Sequence, residues 1–197
     1  MRPSAPARLL FAAALLAAGG RLAAQQELTF HARLDTHLQC LISPRGLLLS
    51  GAAAGINQWR DHPWEWGQGA AGYGRRYAYR NARHGARHGI ELPVGALLGE
   101  DPRYHRSGER GFWKRTRYAI AHTIIARGRD GKDHFASARL ASLYGSAFLA
   151  NTWYPDRLNT TRHALARGTI SVGWGVAENV FDEFWPDIKR KLFGRRQ

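Results

Sequence analysis

The segment from Ala71 to Gly89 constrains the fold most, because it has two different faces at helical spacing. On a helical wheel of about 100° per residue, small residues fill one sector and arginines fill the opposite one. The small residues are Ala71, Gly74, Ala78, Ala82, Gly85 and Gly89, and the arginines are Arg76, Arg80, Arg83 and Arg87. Glycine inside a helix costs about 1 kcal/mol relative to alanine. We therefore expect the glycine face to be a seam against which another helix packs closely.

Two later segments carry similar seams of small residues. They are Ala138, Ala141 and Gly145, and Ala164, Gly168, Ser171 and Gly175, spaced by three or four positions. The predicted fold is therefore all-α (mainly α), a compact helical bundle with glycine- and alanine-faced helix seams. Seams of this kind are best known between membrane helices, so an integral helical membrane protein is the alternative.

Prolines and charged turns divide the chain into six predicted helices. They lie at about 30–42, 46–59, 67–99, 113–126, 134–152 and 160–185. Prolines mark several of the ends, because the residue before a proline avoids the helical region. Pro93 falls inside the third helix, where it is expected to kink or split it. An Asp-Gly pair at 130–131 is a hairpin signal, so a short β-hairpin at 123–139 is the alternative there.

The first 24 residues have the three-part pattern of a secretory signal peptide. Arg2 and Arg8 provide a basic start, Leu9 to Ala18 is an unbroken apolar run, and small residues follow. The run is much shorter than the roughly 20 residues that span a bilayer, and an uncleaved N-terminal anchor is the alternative. We expect residues 1–24 to be a signal peptide and residues 25–197 to be a single helical domain. The protein is then exported, to the periplasm or the outer membrane.

The basic character belongs to the predicted domain and not to the signal peptide. The net charge of +14 falls to +11 without residues 1–24, which contain three arginines and no carboxylate. Guanidinium groups bind phosphate and carboxylate oxygens with paired hydrogen bonds. We therefore predict an anion-binding face that contacts lipid head groups or lipopolysaccharide, formed by Arg76, Arg80, Arg83 and Arg87. The alternative is a solvated helix face. Nucleic acid is not an expected partner, because the protein is exported and lacks a nucleic-acid-binding motif.

Two groups of polar residues give an enzymatic alternative. His84, His88 and Glu91 have the helical spacing of a metal site, but Arg87 lies among them and its charge opposes a cation. The loop at 100–109 carries Asp101, His105, Ser107 and Glu109. These residue types perform acid–base catalysis, yet no nucleophile motif surrounds the serine. We predict a non-enzymatic protein with no metal, cofactor or catalytic residue, and keep an envelope hydrolase or metal-dependent enzyme as the alternative.

Four stretches rich in aromatic and basic residues form a distinctive set. They are WEWGQGAAGYGRRYAYR (64–80), ALLGEDPRYHRSGERGFWKR (96–115), NTWYPDR (151–157) and ENVFDEFWPDIKRK (178–191). Together they resemble an uncharacterised family of exported proteins common in acidobacteria. The resemblance covers most of residues 45–191 and implies an envelope location and a single domain. No activity, ligand or catalytic residue is attached to that family, so it implies no site.

Overall fold

A computed structural model describes residues 29–194 and contains, in that range, six α-helices and one two-stranded sheet. The helices are α1 Phe30–Ile42, α2 Pro44–Trp59, α3 Gly69–Leu98, α4 Phe112–Ala121, α5 Ser137–Leu149 and α6 Thr161–Phe193. The strands are β1 Ile125–Arg127 and β2 Asp133–Phe135. The prediction of a mainly α bundle with a short hairpin is confirmed. The predicted signal peptide, residues 1–24, lies outside the described residues.

Capping side chains and proline define where the helices begin. Ser43 caps α2, because its hydroxyl accepts a hydrogen bond from the backbone N–H three residues on, at 3.1 Å. Pro44 then occupies the first position of the helix, where no backbone donor is needed. Thr160 caps α6 with the same geometry, at 3.4 Å. Pro93 does not split α3, because the helix continues beyond the proline to Leu98.

The hairpin follows from the turn that joins its strands. Ile125 pairs with Phe135 in an antiparallel register. Gly131 has a φ of 71°, a conformation that glycine adopts without strain. The carboxylate of Asp130 accepts a hydrogen bond from the backbone of the turn at 3.0 Å. Because the strands occupy this segment, the two helices on either side are shorter than predicted.

The bundle is organised around α3, which contacts α1, α2 and α5, while α6 packs against α4 and α5. The seam predicted on α6 is one of these contacts. Ala164 and Gly168 are buried, and a Cβ at position 168 would overlap the ring of Tyr144 on α5. Glycine is therefore needed where these two helices approach each other.

The seam predicted on α3 is instead exposed or half-buried, and the opposite side of the helix faces the interior. Gly74, Gly85 and Gly89 have no heavy atom within 4 Å of the place where a Cβ would lie. The buried residues of this helix are Gly72, Arg76, His88, Glu91 and Gly95. The expectation that the small residues pack and the arginines face solvent is wrong for α3. The physical reason is that the interior of the bundle is polar, so that the arginine side of α3 can face it.

Within residues 29–194 the interior is polar and the surface is rich in large apolar side chains. Eight of the eleven buried apolar residues are alanines. An equal number of polar residues is buried: Arg33, His37, Ser50, Arg76, His88, Glu91, Glu100, Thr123, Ser142, Ser146 and Glu183. Large apolar residues such as Leu48, Trp59, Leu97 and Trp113 are three-quarters or more exposed. Buried polar groups in this number are unusual for a protein interior, because such residue types are mostly exposed.

No helix among the described residues has the length and apolar character needed to cross a membrane.

Candidate functional site: an arginine-lined cavity

Arg76, the first arginine of the predicted anion-binding face, is buried and bound by the protein itself. Its side chain is 1% exposed. Its five N–H groups contact the carbonyl oxygens of His62, Pro63 and Gly67 and the side-chain oxygens of Gln58 and Asp61, at 2.6–3.5 Å. Arg76 therefore does not lie on an exposed face, and its donors are already occupied by the end of α2 and the segment between α2 and α3.

The other three predicted arginines, Arg80, Arg83 and Arg87, line a cavity of about 110 Å³ between α2, α3, α5 and α6. We name it the arginine cavity. Its remaining wall includes Leu49, Ser50, His84, Ser146, Trp174 and Glu178. A cavity of roughly 15 Å³ holds one water molecule. The arginine cavity therefore has room for a group of several heavy atoms. The three arginines thus converge on one partly open space between helices.

Positive charge in the arginine cavity is only partly compensated. Glu178 is the sole carboxylate among its lining residues. Arg80 and Arg83 make no hydrogen bond or ion pair with the described residues, and the buried Nε of Arg87 has no hydrogen-bond partner, although it lies 3.5 Å from Glu91 Oε2. Burial lowers the pKa of Arg80 and of Arg83, but arginine keeps its charge in proteins. A bound anion would offset the cost of these poorly paired charges.

A second cavity, of about 640 Å³, shares Arg87 with the first. Its other arginines are Arg103, Arg106 and Arg139, and each of them has a partner. Arg103 binds Asp101 at 2.8 Å, while Arg106 and Arg139 donate to backbone carbonyls at 3.0 and 2.8 Å. The second cavity is larger, but the three guanidinium groups that it does not share with the arginine cavity are already used to hold the fold together.

The polar residues of the 100–109 loop are bound by the protein. Buried Glu183 on α6 accepts hydrogen bonds from the hydroxyls of Tyr104, at 2.8 Å, and Ser107, at 2.6 Å, and pairs with Arg115 at 3.0 Å. Burial alone would raise the pKa of Glu183, but these hydrogen bonds hold it below its usual value. Ser107 is thus tied to Glu183 and does not form a catalytic pair with a histidine.

Asp101 and His105, two further loop candidates, form a hydrogen bond between Asp101 Oδ2 and His105 Nε2 at 3.0 Å. Burial opposes ionisation of Asp101, yet hydrogen bonds from Arg103 and His105 keep its pKa below the usual range. His105 lines the larger cavity. A low pKa keeps Asp101 ionised, which suits its hydrogen bonds within the loop, and the acid–base role of these residues stays a prediction.

His84 and His88, the two histidines of the predicted metal spacing, lie near a third histidine, His37, which the sequence did not indicate. The rings of His84 and His88 lie 4.6 Å apart between centroids. The closest partner of His88 is His37 on α1, with Nδ1 atoms 2.8 Å apart. Burial lowers the pKa of His37, and burial followed by the charges of His84 and Arg87 lowers the pKa of His88 to about 3. Both buried imidazoles are therefore neutral at physiological pH.

Family models, curated proteins and solved structures were compared with the chain, and none matched. Fold and site therefore define the class of protein: a mainly α-helical protein with a polar interior and an arginine-lined cavity. The resemblance to exported acidobacterial proteins stays a prediction, as does the location in the cell envelope.

Proposed function

We propose that the protein is an exported, non-enzymatic protein of the cell envelope that binds the anionic head group of an envelope lipid or lipopolysaccharide. The head-group phosphate enters the arginine cavity. The observation that carries this proposal is the position of Arg80 and Arg83, which are half-buried in a shared cavity without a hydrogen-bonded acid. Surface ion pairs in water contribute little, whereas charges held in a partly dry cavity interact strongly with an entering anion.

The wall of the cavity favours an amphiphile over a free inorganic anion. Trp174 and Leu49 line the same cavity as the arginines and are 59% and 46% exposed. They lie where the cavity meets the surface, and an acyl chain attached to the bound phosphate would contact them. Tryptophan suits such a position, because its ring is apolar and its N–H remains able to bond. The arginines of the cavity suit the phosphate of a lipid, and the exposed apolar residues beside them suit its acyl chain.

The experiment is a vesicle-binding assay with two triple variants of the mature chain. The test variant replaces Arg80, Arg83 and Arg87 with glutamine, and the control replaces Arg75, Arg110 and Arg117, which are exposed. Both remove the same net charge. Each charged hydrogen bond contributes about 1.5–3 kcal/mol, so loss of even one lowers affinity about tenfold. The test variant should bind anionic vesicles at least that much more weakly, and the control should bind nearly as well as wild type.

A single variant tests the electrostatics in the opposite direction. Glu178→Gln removes the only carboxylate of the arginine cavity and should strengthen binding to anionic vesicles. Three arms identify the ligand: phosphatidylglycerol vesicles, lipopolysaccharide, and inorganic phosphate as a competitor. Equal weakening by both triple variants would mean that the protein senses only its net charge, and the arginine cavity would be rejected as the site.

A further inference from the structure

We propose that His37, His88 and Glu91 bind a divalent transition-metal ion of the zinc class inside the bundle. His37 comes from α1, and His88 and Glu91 come from α3. One donor atom from each lies within 4.8 Å of the other two, and all three residues are 5–8% exposed. Two histidines and one carboxylate are a common ligand set for zinc in catalytic sites. This proposal is independent of anion binding in the arginine cavity.

The hydrogen bonds of the histidine pair leave one atom without a partner. Two neutral imidazoles 2.8 Å apart need one donor and one acceptor, so one Nδ1 carries the hydrogen. His88 Nε2 is buried and has no hydrogen-bond partner. Whichever tautomer His88 adopts, this nitrogen is an unsatisfied donor or an unsatisfied lone pair, which is costly inside a protein. A metal between the imidazoles would bind both facing Nδ1 lone pairs, and each ring would then carry its hydrogen on Nε2.

Glu91 is placed to complete the ligand set. Its Oε2 receives a hydrogen bond from Ser142 at 3.4 Å and lies 3.5 Å from Arg87. Its other oxygen makes no hydrogen bond with the described residues. Zinc bonds of about 2.0–2.2 Å place donor atoms roughly 3–4 Å apart, so small side-chain rotations bring the three donors around one ion. Ser142 is a weak support for the carboxylate, because its hydroxyl also donates to the carbonyl oxygen of Arg139 at 2.8 Å.

The charge of Arg87 is the main force against a metal here. Its Nε lies 3.5 Å from Glu91 Oε2 without forming a hydrogen bond. Its positive charge, however, repels a second cation in a partly buried site. Arg87→Gln should therefore increase metal affinity. The same change is expected to weaken anion binding, so the two proposals give opposite results for one variant and can fail separately.

The test measures binding of Zn²⁺ and Co²⁺ to the purified mature chain, by competition with a chromophoric chelator and by Co²⁺ absorption. Wild type should bind one tightly held ion per chain. His37→Ala, His88→Ala and Glu91→Gln should each weaken binding at least tenfold. His31→Ala is the matched control, because it removes an exposed histidine from the same helix, and it should bind as wild type does.

Folding of each variant is checked by circular dichroism, and Arg87→Gln provides a positive result that does not depend on removing a ligand. Tighter binding in Arg87→Gln together with weaker binding in the ligand variants would support the site. Absence of a stoichiometric ion in wild type, or equal affinity in wild type and the three ligand variants, would overturn it.

Discussion

At position 76 an arginine pairs all five of its N–H groups with oxygens from the end of α2 and from the segment between α2 and α3. Gly72, one turn earlier, makes room for this arrangement, because a Cβ there would overlap the carbonyl of Gly67. A lysine could not replace the guanidinium, since it has three donors and no planar fork. Arg76 is therefore a structural residue that joins two helices through their connecting loop.

Replacing Arg76 should destabilise the protein strongly. In Arg76→Gln, the buried carbonyl oxygen of Pro63 and the partly buried ones of His62 and Gly67 lose their donors, so the free energy of unfolding should fall by about 2–4 kcal/mol. Urea denaturation followed by circular dichroism measures this change. The control is Arg75→Gln, at an exposed neighbouring position, which should change stability by less than about 0.5 kcal/mol. Similar values for the two variants would contradict the role assigned to Arg76.

Among the elements, α3 gives the clearest test of which face is buried. A glycine-to-alanine change in an exposed helix interior stabilises by about 0.5–1 kcal/mol, because alanine loses less conformational freedom on folding. Gly85 and Gly89 have open space where the new methyl group would lie. Gly85→Ala and Gly89→Ala should therefore each raise the free energy of unfolding by that amount, measured by urea denaturation.

Gly168 on α6 is the matched position in a packed seam. Gly168→Ala should lower the free energy of unfolding by about 1–3 kcal/mol, because the new methyl group overlaps the ring of Tyr144. Opposite signs for the substitutions on α3 and α6 are the expected result. If alanine at 85 or 89 destabilised the protein, the small-residue face of α3 would be a packed seam after all.

Sequence patterns predicted the elements of this fold better than the faces of its helices. Proline positions are local signals, and the Asp-Gly turn at 130–131 was enough to raise the hairpin as an alternative. A helical wheel for α3 separates two faces, but it does not say which one is inside. The usual assumption places charge outside, and it fails where the neighbouring helices offer polar surfaces such as Ser142.

The candidate sites were predictable only in part, for the same reason. Arg80, Arg83 and Arg87 share one helix, so their common face follows from spacing alone. Glu178, which faces them from α6, and His37, which faces His88 from α1, are distant in sequence. Only tertiary packing brings such residues together, and one sequence contains no periodicity that links them.

At the scale of the whole molecule, many polar side chains are buried and many large apolar side chains are exposed, the reverse of the usual arrangement. The largest fully buried side chains among the described residues are Glu183, Thr123 and Ser142, whereas Trp59, Trp113 and many leucines are exposed. Apolar surface in contact with water is unfavourable by about 25 cal/mol per Å². The exposed residues therefore favour contact with an apolar phase, and an envelope lipid would provide both this phase and the phosphate for the arginine cavity.

Washing of isolated membranes tests that combination of contacts. At about 1 M salt the Debye length is near 3 Å, so attraction between exposed charges is lost, while buried ion pairs and apolar contacts are screened much less. Wild type should therefore stay with membranes through a high-salt wash. The variant with glutamine at Arg80, Arg83 and Arg87 should be released by it. Alkaline carbonate should release wild type, as expected for a protein held at the membrane surface.

Each departure from this pattern identifies a different kind of attachment. Release of wild type by salt alone, to the same extent as the triple variant, would mean that exposed charge is the only contact and that the arginine cavity contributes nothing. Retention of wild type through carbonate would favour the integral membrane alternative over surface binding. The control with glutamine at Arg75, Arg110 and Arg117 separates net charge from cavity charge, because it alters only exposed arginines and should wash as wild type does.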